Sequence, residues 1–451
     1  MNRSRRLVGV AARVLLLLAL PPAASAQDVA QMRDIVRHYV DDKTFMGSVL
    51  VARDGDVLLS EGFGLANLEW KIPNTPATKF RLGSLTKQFT AAAILLLEER
   101  GKLSLDDPIK KHIPDAPAAW DSVTIYHVLT HTAGIPNFTS FPEYLTLKLS
   151  PSPIEKTVAL FKNRPLEFAP GSQMRYSNSG YVLLSYLIER ISGRSYAEFV
   201  RDNVFRPLGM SDTGYDVNAE VVERRATGYV RSVAGIVNAP YIDMTIPGGA
   251  GGLYSTTEDL LRWTRGLFGG KLLTSASLKK MTTPFKDNYA LGVLSLQLEG
   301  RSAITHSGGI EGFNTILTYY PADKVTIAVL ANLNGSPGPI AAQLAALVFG
   351  GQLAHGMPLG RAEVQLPPEV LAEYAGVYPL APNFTLTMAV VDGALISRAT
   401  GQADVPLYAE AKDKFFARAV DAQIDFVRGA DGKVSGLVLR QGQTELRAPR
   451  Q

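Results

Sequence analysis

Arg81-Leu82-Gly83-Ser84-Leu85-Thr86-Lys87-Gln88-Phe89, with the run that follows it, Thr90-Ala91-Ala92-Ala93-Ile94-Leu95-Leu96-Leu97-Glu98-Glu99-Arg100-Gly101, decides the fold. Nearly every residue of the run is a strong helix former, and Gly101 stands where a helix C-cap belongs. Phe89, Ala92, Ala93, Leu96 and Leu97 recur at i, i+3, i+4, i+7 and i+8, while Ile94 and Leu95 make the other side apolar too. The spacing predicts a helix enclosed by protein on every side. Ser84 and Lys87, three apart at its first turn, would then point the same way. A serine hydroxyl is a weak nucleophile until a base takes its proton, and lysine serves as that base only where desolvation or nearby cations let it shed its own. The unpaired N–H groups of a helix start favour negative charge on the attacking and acyl oxygens. The motif is not unique in the chain, since Ser277-Leu278-Lys279-Lys280 repeats its spacing.

Outward from this stretch, the N-terminus reads as a cleavable secretory signal over residues 1–26. Met1-Asn2-Arg3-Ser4-Arg5-Arg6 is basic, an apolar run reaches Leu20, and Ala24-Ser25-Ala26 offers a small-residue cleavage site. The expected location is therefore secreted or periplasmic. The apolar run contains Arg13 and is too short for a stable membrane span, so no integral membrane segment is expected once the signal is removed. Losing Arg3, Arg5, Arg6 and Arg13 takes the formal net charge of +4 to zero. A neutral mature chain with no basic run gives no reason to expect nucleic acid or an anionic membrane surface as partner. With no cysteine anywhere, disulfides, a thiol nucleophile and thiolate-held metals are excluded. The remaining length supports more than one domain.

Asp28 to Tyr39 reads as an amphipathic helix, and Gly47–Ala52 with Val57–Leu59 flank Arg53-Asp54-Gly55-Asp56, a hairpin signal. His127 and His131, four apart, invite a test as metal ligands on one helix face. No glutamate lies between them and no third ligand is evident, so bracing histidines are expected and no metal or cofactor. Residues 138–170, rich in proline and apolar side chains, fit one wall of a cleft. Arg175-Tyr176-Ser177-Asn178-Ser179-Gly180 leads into a helix from Tyr181 to Ile191, where Ser177, Asn178 and Ser179 would ordinarily be caps. Pro247-Gly248-Gly249-Ala250-Gly251-Gly252 lacks the Gly-Lys-Ser/Thr of a phosphate cradle, so nucleotide binding is discounted. Ser255-Thr256-Thr257-Glu258 has capping-box spacing for a helix ending at Gly269-Gly270.

Ser302 to Gly309, Phe313 to Tyr320 and Val325 to Asn332 read as antiparallel strands, covered by a helix over residues 339–349. Beyond a glycine- and proline-rich linker at 351–368 the pattern becomes purely short-period. Phe384, Leu386, Met388 and Val390 alternate, and Asp392-Gly393, Asp431-Gly432 and Gln441-Gly442 supply turns. A larger mixed domain over 27–350 and a small all-β barrel or sandwich over 369–451 are expected, making the whole α+β.

The chain has no Gly-x-Ser-x-Gly elbow and no His-Glu-x-x-His, but it has Ser84-x-x-Lys87, Tyr176-Ser177-Asn178 and His306-Ser307-Gly308 in that order. With Leu129 to Pro136, Tyr176 to Leu184 and Gly251 to Ser255, these stretches resemble the serine β-lactamase and penicillin-binding protein superfamily, in its class C β-lactamase, D-aminopeptidase and esterase branch. The likeness covers roughly residues 28–349. It implies a β-lactamase/transpeptidase-like antiparallel sheet flanked by helices. The C-terminal part is similar to the small lipocalin-like barrels attached to some members.

The resemblance implies that Ser84 attacks a carbonyl and is acylated, Lys87 takes its proton, and Tyr176 passes a proton to the leaving group and helps activate the deacylating water. A phenol and an amine side by side should ease each other's reactive form. Asn178, His306, Ser307 and Gly308 would bind substrate, with Gly308-Gly309 leaving it room along the strand, and the N–H groups of Ser84 and Gly309 would form an oxyanion hole. His306 stands where β-lactamases and D,D-peptidases usually have the lysine of Lys-Thr-Gly. A histidine is charged only part of the time near neutral pH, which turns the expectation from penicillins toward small amides, D-peptides or esters. The expected partner is a small-molecule or peptide substrate. The alternatives are a class C-type β-lactamase or D,D-carboxypeptidase, and a catalytically silent protein that binds wall peptides.

Overall fold

The computed structural model describes residues 26–232, 235–335, 337–350, 363–381, 384–391, 393–400, 405–417, 422–441 and 444–451. The expected signal at 1–26, but for Ala26, and most of the expected linker lie outside them, as do Asp392 and Gly442 of two expected turns. The first body begins with helix α1 (Ala26–Asp41), the hairpin strands β1 (Gly47–Arg53) and β2 (Asp56–Phe63), and helix α2 (Thr86–Glu99). Helix α3 (Asn178–Ser192) and helix α4 (Thr257–Phe268) follow, then strands β3 (Leu294–Leu298), β4 (Arg301–Ile310), β5 (Phe313–Tyr320) and β6 (Val325–Ala331), and helix α5 (Pro337–Val348).

The six strands form one antiparallel sheet in the order β3-β4-β5-β6-β1-β2. Side chains alternate across a strand, so β1 sends Val49 and Val51 to one face and Leu50 and Ala52 to the other. The first face packs on α1 and α5 through Met32, Val36, Ile340 and Leu344, and the second on α2 and α4. Covered on both sides, β6 reads Val-Thr-Ile-Ala-Val-Leu-Ala and is buried throughout. The hairpin turns at Asp54 and Gly55, both at positive φ.

Helix α2 is buried at every residue from Thr86 to Leu97, so the apolar circumference read from its sequence is satisfied by enclosure. Its polar side chains are all paired. Gln88 accepts from Trp263 Nε1 at 3.0 Å, and Thr90 Oγ1 donates to the Gly249 carbonyl at 2.7 Å. Truncating a wholly buried leucine such as Leu95 to alanine would cost about 2–5 kcal/mol. At the mouth of this helix, Phe80–Arg81 pairs with Leu253–Ser255, which also pairs with Gly214–Tyr215.

Two local expectations shift. Helix α4 is capped by Thr256, whose side chain accepts from Asp259 N, while Ser255 Oγ turns instead to Thr213 Oγ1 at 2.7 Å. His127 and His131 share no helix face, because the helix 125–129 ends before His131, which sits at φ +58°.

The C-terminal body is an antiparallel sheet of eight strands, each paired with the next in sequence. Gln451 N donates to the Val377 carbonyl at 2.9 Å, linking its last and first strands and nearly closing a barrel. Leu386, Met388, Phe415, Ile424, Phe426 and Leu437 fill the interior beside Tyr374 and Tyr378. Arg231, on a hairpin of the first body, donates to Tyr408 Oη of the barrel at 3.1 Å.

Candidate active site

Gly83–Leu85 makes a single 3-10 turn that runs directly into α2. Gly83 has φ +54°, and a Cβ there would stand 2.8 Å from the backbone nitrogen of Gly309, so glycine is what lets β4 approach. Leu82 N donates to the Leu253 carbonyl at 2.8 Å, and Thr315 Oγ1 donates to the Leu82 carbonyl at 2.8 Å. The Ser84 turn is thus held from both sides before any substrate arrives.

Lys87 is 0 % exposed, and burial pushes its pKa well below the ordinary lysine value. Its Nζ lies 3.1 Å from Ser84 Oγ, 2.9 Å from Asn178 Oδ1 and 2.8 Å from the Ala250 carbonyl. Two of these partners are oxygens that only accept. A neutral amine spends its two hydrogens on Asn178 and Ala250 and keeps its lone pair for the Ser84 hydroxyl. The geometry and the direction of the pKa shift therefore agree on a base.

Tyr176 enters from the loop before α3, with Lys87 Nζ 4.7 Å from its ring centroid. Burial raises its pKa above the ordinary phenol value, and the hydrogen bond with the Ser84 hydroxyl only partly offsets this. The mutual easing expected of phenol and amine holds for one partner alone. The amine is biased to neutral, but the phenol stays protonated because no cation compensates its burial. Neither Ser177 nor its neighbours cap α3 with a side chain. Asn178 holds Lys87 instead, and Ser179 Oγ donates to the Pro136 carbonyl at 2.6 Å.

The third stretch divides between locations. His306 is buried, with Nε2 3.1 Å from Tyr289 Oη and Nδ1 2.5 Å from the Ser307 carbonyl. Burial is the main cause that lowers its pKa to about 4, so it is neutral near pH 7 rather than partly charged. Its ring centroid lies 6.3 Å from that of Tyr176, and it does not line the cleft. Ser307, opposite in strand parity, lines a separate hollow with Leu294, Ile316 and Gly338. It is therefore not brought to the nucleophile. Nor does Gly308 make room for substrate, because a Cβ there would fall 2.0 Å from the Leu82 carbonyl and 2.4 Å from Thr315 Oγ1. The nucleophile turn fills that space. At Gly309 a Cβ would meet only Asn314 Nδ2, at 3.5 Å, and this residue does border the cleft.

A cleft opens beside Ser84, bordered by Asn178 and Gly309 and walled by Phe138, Thr139, Tyr144, Ile242, Ile246 and Ile310. Apolar walls with a few polar groups suit a small ligand. Among the described residues Glu311 is its one carboxylate, and it pairs with Lys148 at 2.8 Å. Sequence reasoning missed Ala250, Ile242 and Glu311. Ala250 acts through a backbone carbonyl that its residue type does not advertise, and the other two carry no motif.

A buried neutral amine, a hydroxyl within its reach and a protonated phenol beside a concave surface can together drive acyl transfer. Comparisons with known proteins point the same way. A family model described as Beta-lactamase matches residues 32–349, and a domain of unknown function (DUF3471) matches residues 360–448. Penicillin-binding protein 4* of Bacillus subtilis is 30% identical over 89% of this chain and 94% of its own. The solved octameric penicillin-binding protein homologue from Pyrococcus abyssi is 28% identical, with a TM-score of 0.65 over 93% of this chain and 100% of its own. The D-amino acid amidase of Ochrobactrum anthropi, solved with L-phenylalanine, is 25% identical, with a TM-score of 0.60 over 68% of this chain and 92% of its own.

Proposed function

The chain belongs to the beta-lactamase family and is a serine hydrolase of that superfamily, and from this premise we propose that it cleaves amide, peptide or ester bonds through an acyl-enzyme on Ser84. The observation that carries the reading is Lys87, wholly buried, with its Nζ 3.1 Å from Ser84 Oγ. The Ser84 proton passes to Lys87 Nζ as Oγ bonds to the carbonyl carbon, and the oxyanion accepts from the N–H groups of Ser84 and Gly309. Tyr176 gives its proton to the departing nitrogen or oxygen as that bond breaks, and the proton on Lys87 returns to the phenolate. Water then repeats the sequence against the acyl-enzyme.

The charges around the cleft favour neutral or ammonium-bearing substrates. His306 is uncharged at neutral pH, no lysine or arginine borders the cleft among the described residues, and Glu311 does. The likeness to the D-amino acid amidase supports small amides within this class. The likeness to Penicillin-binding protein 4* supports the second reading, a β-lactamase or D,D-carboxypeptidase. The basic, apolar and small-residue pattern of residues 1–26 supports export as the route to substrate.

The experiment is hydrolysis of p-nitrophenyl esters and of D- and L-amino-acid anilides by the wild type and by Ser84→Ala, with fluorophosphonate labelling alongside. Stoichiometric labelling and turnover, both lost in Ser84→Ala, are expected. Turnover that survives the substitution overturns the reading, and a wild type that no acylating probe labels points to a binding protein. A chromogenic cephalosporin cleaved as fast as the best ester would select the second reading.

A further inference from the structure

We propose that His131 is a positioning residue for Tyr176, holding the phenol where it meets Ser84 and Lys87; this rests on the acyl-enzyme reading above. Two backbone hydrogen bonds grip the chain on either side of the tyrosine. Arg175 N donates to the His131 carbonyl at 2.9 Å, and Ser177 N donates to His131 Nδ1 at 3.2 Å. Between them the imidazole lies against the phenol, ring centroids 4.2 Å apart and tilted by 41°. One residue thus fixes Tyr176 at three points while touching neither Ser84 nor Lys87 by any hydrogen bond.

The remaining chemistry of His131 fits no other task. Nδ1 accepts from Ser177, so the ring proton sits on Nε2, and among the described residues that atom is buried without a hydrogen-bond partner. An orphaned buried N–H is unfavourable, because nothing replaces the water it gave up. The backbone adds a second cost, because His131 stands at φ +58°, a conformation uncommon for a residue with a Cβ. The rings of Tyr181 and Tyr289 complete its surroundings, their centroids 5.1 and 4.6 Å away. Two unfavourable features kept at one residue beside a reactive group are what stored local strain at a functional site looks like.

The test is a double-mutant cycle on the full chain, using the best ester or amide substrate. In His131→Ala, kcat is expected to fall by about ten- to a hundredfold with KM little changed, since an ångström of misplacement costs that much. In a Tyr176→Phe background the same substitution should cost nothing further, because its only route to the reaction is the missing hydroxyl. His131→Asn keeps an acceptor at the same δ position and tolerates positive φ, so it should recover most of the lost kcat. If His131→Ala does not fold, the Asn variant carries the test by itself: a kcat as low as that of Tyr176→Phe overturns the proposal. Equal losses in both backgrounds overturn it as well, since they mark a role in folding alone. If Tyr176→Phe turns over like the wild type, the acyl-enzyme reading loses its acid and the proposal falls with it, an outcome distinct from the other two.

Discussion

Thr315 Oγ1 donates to the Leu82 carbonyl at 2.8 Å, and through that bond the central sheet grips the turn that presents Ser84. The contact exists only because Gly308, one strand over, leaves its side-chain position to the same carbonyl. The nucleophile is therefore set by backbone packing of strand against turn.

Two adjacent glycines on that strand should respond differently to the same substitution. Gly308→Ala forces a Cβ to 2.0 Å from a backbone oxygen, so the turn must move. We expect it to lose about 1–3 kcal/mol in thermal or denaturant unfolding, together with most of its turnover. Gly309→Ala has open space, and its stability should stay within about 0.5 kcal/mol of the wild type, with turnover far less affected than in Gly308→Ala. Equal destabilisation by the two would contradict the geometry.

Asn178→Asp places a carboxylate 2.9 Å from Lys87 Nζ, where the wild type has a neutral amide. An opposite charge that close in a buried site favours the ammonium form and raises the amine's pKa. Activity requires the free amine, so the rising limb of the kcat/KM against pH profile should move by about one to three units toward alkaline pH. Unchanged limb position would mean that Lys87 is not the group that titrates.

His306 is held at a pKa of about 4 in the folded protein, below the ordinary 6.5. Between those values the unfolded chain binds more protons, so stability rises with pH across the window and is lost as pH falls through it. The contribution is on the order of 3 kcal/mol, and His306→Gln should remove it, flattening the loss of melting temperature between about pH 6.5 and pH 4. His131 is shifted in the same direction by burial, so some acid sensitivity should remain. An identical acid limb in wild type and variant would show that His306 stays solvated.

Glu311 and Lys148 are paired at 2.8 Å, each about one-sixth exposed at the side chain. Glu311→Gln leaves the Lys148 ammonium without its counter-charge. The KM for an ester bearing a carboxylate should drop by roughly tenfold, while that for an ammonium-bearing amide rises. A change of the same sign for both substrates would remove Glu311 from specificity.

Much of the fold could be read because its signals are local. The apolar circumference of residues 86–97, the Asp54-Gly55 turn and the unbroken apolar strand 325–331 each report an environment through spacing alone. The site was legible as three separated motifs, and the structure brings Ser84, Lys87, Tyr176 and Asn178 together. Ser307 was misplaced because strand parity is decided by which sheet face meets α2, a fact of packing. The glycine run at 247–252 was read only for what it lacks. Its function is a close approach, since a Cβ at Gly249 would fall 2.8 Å from Ser185, and the neighbouring Ala250 carbonyl thereby reaches Lys87.

By itself the sequence determined which groups are available: one hydroxyl and one amine three residues apart on a helix that has to be buried, a phenol, and a histidine in place of a third cation. Tertiary structure decided their protonation, because that depends on how much water and charge lie within a few ångströms. Segments more than ninety residues away in the chain supply Asn178 and Ala250 to Lys87 and leave it neutral. Tyr289 and the surrounding core do the same to His306. Residue type sets what a side chain can do, and desolvation by distant parts of the chain selects the form in which it does it.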